Sequence, residues 1–152
     1  MGSMEIRDLP RRRYGYVLHR GAHHEIGEAF ERMFAIAGPA GLFAHGHPIG
    51  VYFGDPREVP IAELYSHAGV LVPDGAPLPD GLAEAFLPAG RFAIGLHEGS
   101  YARMMEGWQS AYAAFHAHGL RPADTAPYEV YLNDPSTVPE PDLRTEIHLP
   151  VA

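Results

Sequence analysis

Two residues of this chain stand where they could do chemistry together: Glu129 and Tyr131, in the stretch P-Y-E-V-Y-L-N-D-P at positions 127–135. Successive side chains of a strand point to opposite faces, so Glu129, Tyr131 and Asn133 share one face and Tyr128, Val130 and Leu132 the other. The second face is apolar and belongs against a core. The first sets an acid beside a phenol, and two chemistries follow. As an ionised, partly desolvated carboxylate, Glu129 attracts a cation, with aromatic rings stacking on a flat ligand. As a general base, it takes a proton from a water attacking a strained electrophile, while Tyr131 protonates or steadies the departing oxygen. On strand pattern alone, a solvated carboxylate on an open sheet face is an equal reading.

The elements that must position this pair are written twice. P-I-G-V-Y-F-G-D-P at 48–56 echoes 127–135, setting Tyr52 on Tyr131 and Gly50 on Glu129. Leu9-Pro10 recurs as Leu87-Pro88, and His19-Arg20-Gly21 as His97-Glu98-Gly99. Tyr14–Arg20 and Phe92–Glu98 are strand-like, and each leads through a glycine into a helix-period segment. One helix carries an apolar stripe of Ile26, Ala29, Phe30, Met33, Phe34 and Ala37; the other carries Met104, Met105, Trp108, Ala111, Tyr112 and Phe115. Ser100 suits an N-cap, and Gly38 and Gly119 suit helix stops. Final strands are expected near Leu64–Val72 and Leu143–Val151.

The pattern predicts an α+β fold: a strand–helix–strand–strand unit duplicated about a pseudo-twofold, with antiparallel sheets and a central groove. The repeats are placed at 4–73 and 83–152, joined by a Pro/Gly-rich linker at 74–82. Met1-Gly2-Ser3 reads as an expression scar ahead of Met4.

Alternation extends the candidate site. Tyr14, Tyr16 and Leu18, with Phe92, Ile94 and Leu96, suit helix-covered faces. The opposite faces carry Gly15, Val17 and His19, and Ala93, Gly95 and His97. The expected groove therefore holds Glu129, Tyr131, Tyr52, His19 and His97 around space left by Gly15, Gly50 and Gly95. The bland alternatives are cross-strand packing for the two tyrosines and mere strand ends for the two histidines. Trp108 and Tyr112 lie in a helix stripe, which is a core position, with Trp108 within reach of the groove through the sheet edge.

Composition removes several classes. The net charge is −8, every Lys/Arg position is Arg, and that balance argues against phosphate-led nucleic-acid binding. It leaves room for a cationic ligand or a basic protein partner. The absence of Lys beside abundant Ala, Gly, Pro and Arg points to a GC-rich, bacterial coding sequence. With no Cys there is neither a disulfide framework nor a thiolate nucleophile. Of the 10 His, the pairs His45-x-His47, His116-x-His118 and His23-His24 have no third ligand at a recognisable spacing, so neither a metal nor a cofactor is expected. No signal peptide or membrane-length apolar run is visible, and a cytoplasmic location is expected.

Gly99–Tyr101 as G-x-Y, Glu129–Tyr131 as E-x-Y with Asp134-Pro135, and the closing I-x-L-P-V at Ile147–Val151, in the frame of the duplicated unit, resemble the GyrI-like, or AraC-type effector-binding, domain. The resemblance runs from Met4 to the end; Ser100 stands where many members have Pro. It implies a ligand groove with an acid on its floor, by position Glu129, and adds Tyr101 and Trp108 to the candidate ligand contacts. It also implies three kinds of role: binding planar aromatic or cationic drugs in sensing or sequestration, hydrolysing cyclopropane-containing toxins with Glu129 and Tyr131 as catalytic groups, or acting on a protein partner such as DNA gyrase or a regulator. No helix-turn-helix accompanies the domain, so a stand-alone member is expected.

Overall fold

The computed structural model describes residues 4–152, so the expected scar at 1–3 lies outside the described residues. The chain forms two compact units, one from the segment up to Pro10 together with Ala89–Ala152, the other from Arg11–Pro88. Each is an antiparallel sheet with one long helix, an α+β architecture. Among the described residues no helix is long and apolar enough to cross a membrane.

The Arg11–Pro88 unit contains β2 (Arg12–Arg20), α1 (Gly27–Ala37), β3 (Pro48–Phe53), β4 (Tyr65–Leu71) and β5 (Ala83–Leu87). Its strands pair in the order β3-β4-β2-β5. The other unit contains β1 (Glu5–Leu9), β6 (Gly90–Glu98), α2 (Met104–Ala117), β7 (Tyr128–Tyr131) and β8 (Arg144–Val151), paired β1-β6-β8-β7. Strands β1 and β5 add to the expected elements, and the two compact units divide after Pro10 and after Pro88. Each ends its sheet, and each is laced to its neighbour by ion pairs, Arg91 with Asp8 at 3.1 Å and Arg13 with Glu84 at 2.6 Å.

The helix stripes fold as their periodicity demands. Ala29, Met33 and Ala37 of α1 are fully buried against Ala68 and Val70 of β4. Ala111 and Phe115 of α2 close over Ala93 of β6 and Ile147 and Leu149 of β8. Burying Met33 or Phe115 stabilises the fold by about 1.5–3 kcal/mol each. Gly119 stops α2 at φ 68°, a left-handed conformation that glycine takes without a Cβ penalty. Gly38 stays helical at φ −59°, and the left-handed turn after α1 falls to Gly41 at φ 74°.

The helices cover the face opposite to the one expected. They lie over the face of Val17 and of Ala93 and Gly95, not over Tyr14/Tyr16 and Phe92/Ile94; Gly15 on that face is covered by Leu78 and Leu82. The physical reason is helix approach. A Cβ on Gly95 would stand 3.2 Å from the Ala111 Cβ, so Gly95 seats α2 and does not hollow out space beside it. The large aromatics fill the other face. In one unit the Tyr128 ring stacks on His148 with centroids 4.5 Å apart and meets Phe92 edge-on at 5.5 Å. In the other, the Tyr14 hydroxyl reaches His67 Nδ1 at 2.7 Å and Tyr16 stacks on the same imidazole at 3.6 Å.

Candidate functional site

Because α2 lies on the Gly95 face, it meets Glu129 directly. Glu129 pairs across β8 with Ile147, which pairs with Gly95 on β6, so all three share the helix-covered face. The carboxylate is 5% exposed. Tyr131 donates its hydroxyl to Glu129 Oε1 at 2.5 Å, and the Trp108 indole N–H donates to Oε2 at 2.5 Å. Short bonds to a charged acceptor are the stronger kind, and they fix the carboxylate's orientation. A carboxylate kept in so little water needs such donors to offset its desolvation.

Tyr101 stands edge-on to Tyr131, ring centroids 5.6 Å apart. Partial burial raises the pKa of its phenol, and the negative charges of Asp134 and then Glu129 raise it further. The turn that carries Tyr101 is built locally. Ser100 Oγ accepts from the Ala102 N–H at 3.0 Å, capping a 3-10 turn at Tyr101–Arg103 that leads into α2. His97 Nε2 donates to the Ser100 carbonyl at 3.0 Å, so the imidazole pins the entry of that turn. The Tyr112 ring lies tilted against Trp108 with centroids 5.9 Å apart, and the side chains of Tyr101, Met105 and Tyr112 are exposed.

The structure therefore brings Glu129, Tyr131, Tyr101 and Trp108 together. His97 shares their face through the register His97–Thr145–Tyr131, with its Nε2 engaged by backbone. Tyr52 and His19 belong to the Arg11–Pro88 unit. There Tyr52 packs against the core under α1 with His23 edge-on at 5.3 Å, and His19 Nε2 donates to the Ala22 carbonyl at 2.8 Å.

Sequence reading passed over one group. The Thr145 hydroxyl is fully buried between Tyr131 and His97 in the register and has no hydrogen-bond partner among the described residues. A buried orphan hydroxyl costs about 1–3 kcal/mol. Its signal is the strand register itself, visible only once β7, β8 and β6 are aligned.

The clamp on His97 gives a direct test. A Cβ on Gly107 of α2 would lie 2.8 Å from His97 Nδ1 and 2.9 Å from its Cβ and Cγ. Gly107→Ala gains about 1 kcal/mol of helix propensity. Overpacking a ring that backbone already holds costs typically about 1–3 kcal/mol. A net loss on the order of 1 kcal/mol is expected in urea unfolding; a gain would mean the ring yields freely.

Comparison with known proteins places this geometry. The family model described as "GyrI-like small molecule binding domain" matches residues 3–152. The chain is 31% identical over 132 residues to a DNA gyrase inhibitor of Erwinia billingiae, covering 82% of this chain and 81% of that protein. It is 27% identical over 131 residues to the transcriptional regulator BrlR of Pseudomonas aeruginosa, covering 83% of this chain but only 46% of BrlR, so it spans about half that relative's length. Among solved structures, SAV2435 bound to tetraphenylphosphonium matches with TM-score 0.73 at 12% identity, covering 99% of this chain and 94% of that one. A hydrolase from Listeria innocua matches with TM-score 0.67 at 16% identity, covering 98% and 91%.

Proposed function

We propose, from the premise that this chain belongs to the GyrI-like family of small-molecule binding domains, that it holds a planar aromatic or lipophilic cationic ligand over Glu129, in drug or toxin sensing or sequestration. The observation that carries this reading is the buried carboxylate fixed between the Trp108 indole and the Tyr131 phenol. A carboxylate with both oxygens already engaged offers charge more readily than fresh hydrogen-bond acceptors. That favours a delocalised cation with no N–H donors over a primary ammonium. Tyr101, Met105, Trp108 and Tyr112 supply aromatic and apolar surface for the ligand's body, and rings add cation–π attraction of about 0.5–2 kcal/mol. The tetraphenylphosphonium bound by the structurally similar SAV2435 is a cation of this class.

Calorimetric titration with tetraphenylphosphonium, beside its neutral analogue triphenylphosphine oxide, tests the reading. The cation is expected to bind at least tenfold more tightly, a gap of about 1.4 kcal/mol or more. Equal affinity would reduce the site to a hydrophobic patch.

Hydrolysis is the second reading, favoured by one contact: Tyr131 hands its proton toward Glu129 at hydrogen-bond distance. In that chemistry Glu129 takes a proton from water, the water oxygen bonds the electrophilic ring carbon, and the strained C–C bond breaks. Its electrons pass to a conjugated oxygen, which Tyr131 protonates. Tyr131→Phe is then expected to slow consumption of a cyclopropane electrophile more than it weakens binding. Proportional losses would assign Tyr131 to recognition alone.

The same proposal includes duplication. In the two units, His19–Ser66–Tyr52 and His97–Thr145–Tyr131 occupy like positions in their registers, and Gly50 pairs with Ala68 as Glu129 pairs with Ile147. Under duplication one repeat has kept or gained the acid, and the other carries glycine there.

A further inference from the structure

The sheet of the β1-β6-β8-β7 unit has a second recess, on the face opposite Glu129 and α2. Its volume is about 300 Å³, at the lower end of ligand-pocket size. Ile94, Leu96 and Leu132 form its apolar floor. Leu96 is 42% exposed: β8 pairs with it on one side through Glu146, while the β1 pairing stops at Ile94 and leaves its other side open to the recess.

The charges around this floor are unequal in what they still need. Arg7 is paired with Glu5 at 2.5 Å and Glu146 at 3.4 Å. Glu146 also accepts from buried His148 Nε2 at 3.0 Å. Every charge on that wall has a partner, although two carboxylates against one guanidinium leave it net negative. Arg144 is different: the residue lines the recess, and its guanidinium has no carboxylate partner among the described residues. Its backbone is fixed, the N–H donating to Asn133 Oδ1 at 2.9 Å and the carbonyl accepting from the Leu132 N–H at 3.0 Å. A planar fork on a fixed strand beside exposed leucine matches a carboxylate with an apolar body.

We propose that this recess is a second binding site, for a small amphipathic carboxylate whose head pairs with Arg144 and whose aliphatic or aryl body lies on Leu96 and Leu132. The site is independent of Glu129 in charge preference and in position on the sheet.

The test is methyl NMR on leucine-labelled protein titrated with 4-phenylbutyrate, with 4-phenylbutanol as the uncharged analogue. The Leu96 and Leu132 methyl signals are expected to shift saturably with the acid. Arg144→Gln and the alcohol are each expected to weaken binding about tenfold or more. Arg144→Lys, which keeps the charge and loses the fork, is expected to fall between. The Trp108 indole signal, reporting the Glu129 site, is expected to stay still. Three outcomes overturn the proposal: no shift at about 10 mM acid, a weak millimolar limit; affinity unchanged in Arg144→Gln; or movement of Trp108 with Leu96 silent, which would put the acid in the other site. Arg144 is an exposed side chain, and the methyl spectrum of each variant shows directly that it remains folded.

Discussion

Glu129→Gln is expected to lower the affinity for tetraphenylphosphonium by about 10- to 100-fold, equivalent to roughly 1.4–2.8 kcal/mol. The substitution preserves size and leaves one oxygen to accept from Tyr131 or Trp108, which each donate to the carboxylate in the wild type. What it removes is the charge, in a position that is 5% exposed. Burial decides the magnitude: an exposed pair would be worth about 0–1 kcal/mol, and low local dielectric raises it. The neutral amide also introduces an N–H₂ facing one of the two donors. Some loss of melting temperature is therefore expected alongside the loss of affinity. Titration calorimetry with the phosphonium, run with the neutral oxide on the same variant, separates the two effects. Loss confined to the cation confirms a charge role; equal loss for both compounds would mean that Gln distorts the pocket. Unchanged cation affinity would make the charge idle and remove the basis of the binding reading.

The pair Glu129–Tyr131 was legible because the strand period is two, and a polar acid and phenol on one side of an otherwise apolar strand stand out. What the period could not tell was which face takes the helix. By alternation alone, large aromatics suit the helices and small residues suit an open groove. Both faces of these sheets are buried: Tyr14, Phe92 and Tyr128 on one, Ala68, Ala93 and Ile147 on the other. Where both faces are apolar, residue size decides, and a helix approaches over Gly95 and Ala93 more closely than it could over Phe92 and Ile94. With that inversion Trp108 moves from a core residue to the partner of Glu129, and the two readings of it cease to compete. Strands β1 and β5 escaped notice for another reason. E-I-R-D-L and A-E-A-F-L are short and charged, the composition that sheet ends favour and that strand propensity penalises.

His67 is expected to make the protein lose stability as pH falls from about 6.5 to about 4. The imidazole is buried in aromatic rings: Tyr16 stacks on it at 3.6 Å, Phe53 lies 4.7 Å away, and Tyr14 and Tyr65 complete the contacts at 5.8 and 6.1 Å. Among the described residues no carboxylate pairs with it, and its Nδ1 shares a hydrogen bond with the Tyr14 hydroxyl at 2.7 Å. Burial alone pushes its pKa down from 6.5 to about 4. Above pH 6.5 both folded and unfolded forms are neutral there, and the full stability is present. Between the two values the unfolded chain binds a proton that the folded chain refuses, so unfolding free energy falls with falling pH at up to about 1.4 kcal/mol per unit. Below about 4 both forms are charged and the loss levels off, at a total on the order of 3 kcal/mol. Carboxylates held low, such as Asp55, Asp134 and Glu146, act in a more acidic window. His67→Gln keeps an acceptor for Tyr14 and removes the titration. Urea unfolding of both proteins at half-unit steps from pH 7.5 to 4, common ranges for such measurements, isolates the contribution as the difference in slope, whatever stability the variant loses at neutral pH. Parallel curves would show that the folded ring accepts its proton as readily as the unfolded one, and that the aromatic enclosure opens on the way down.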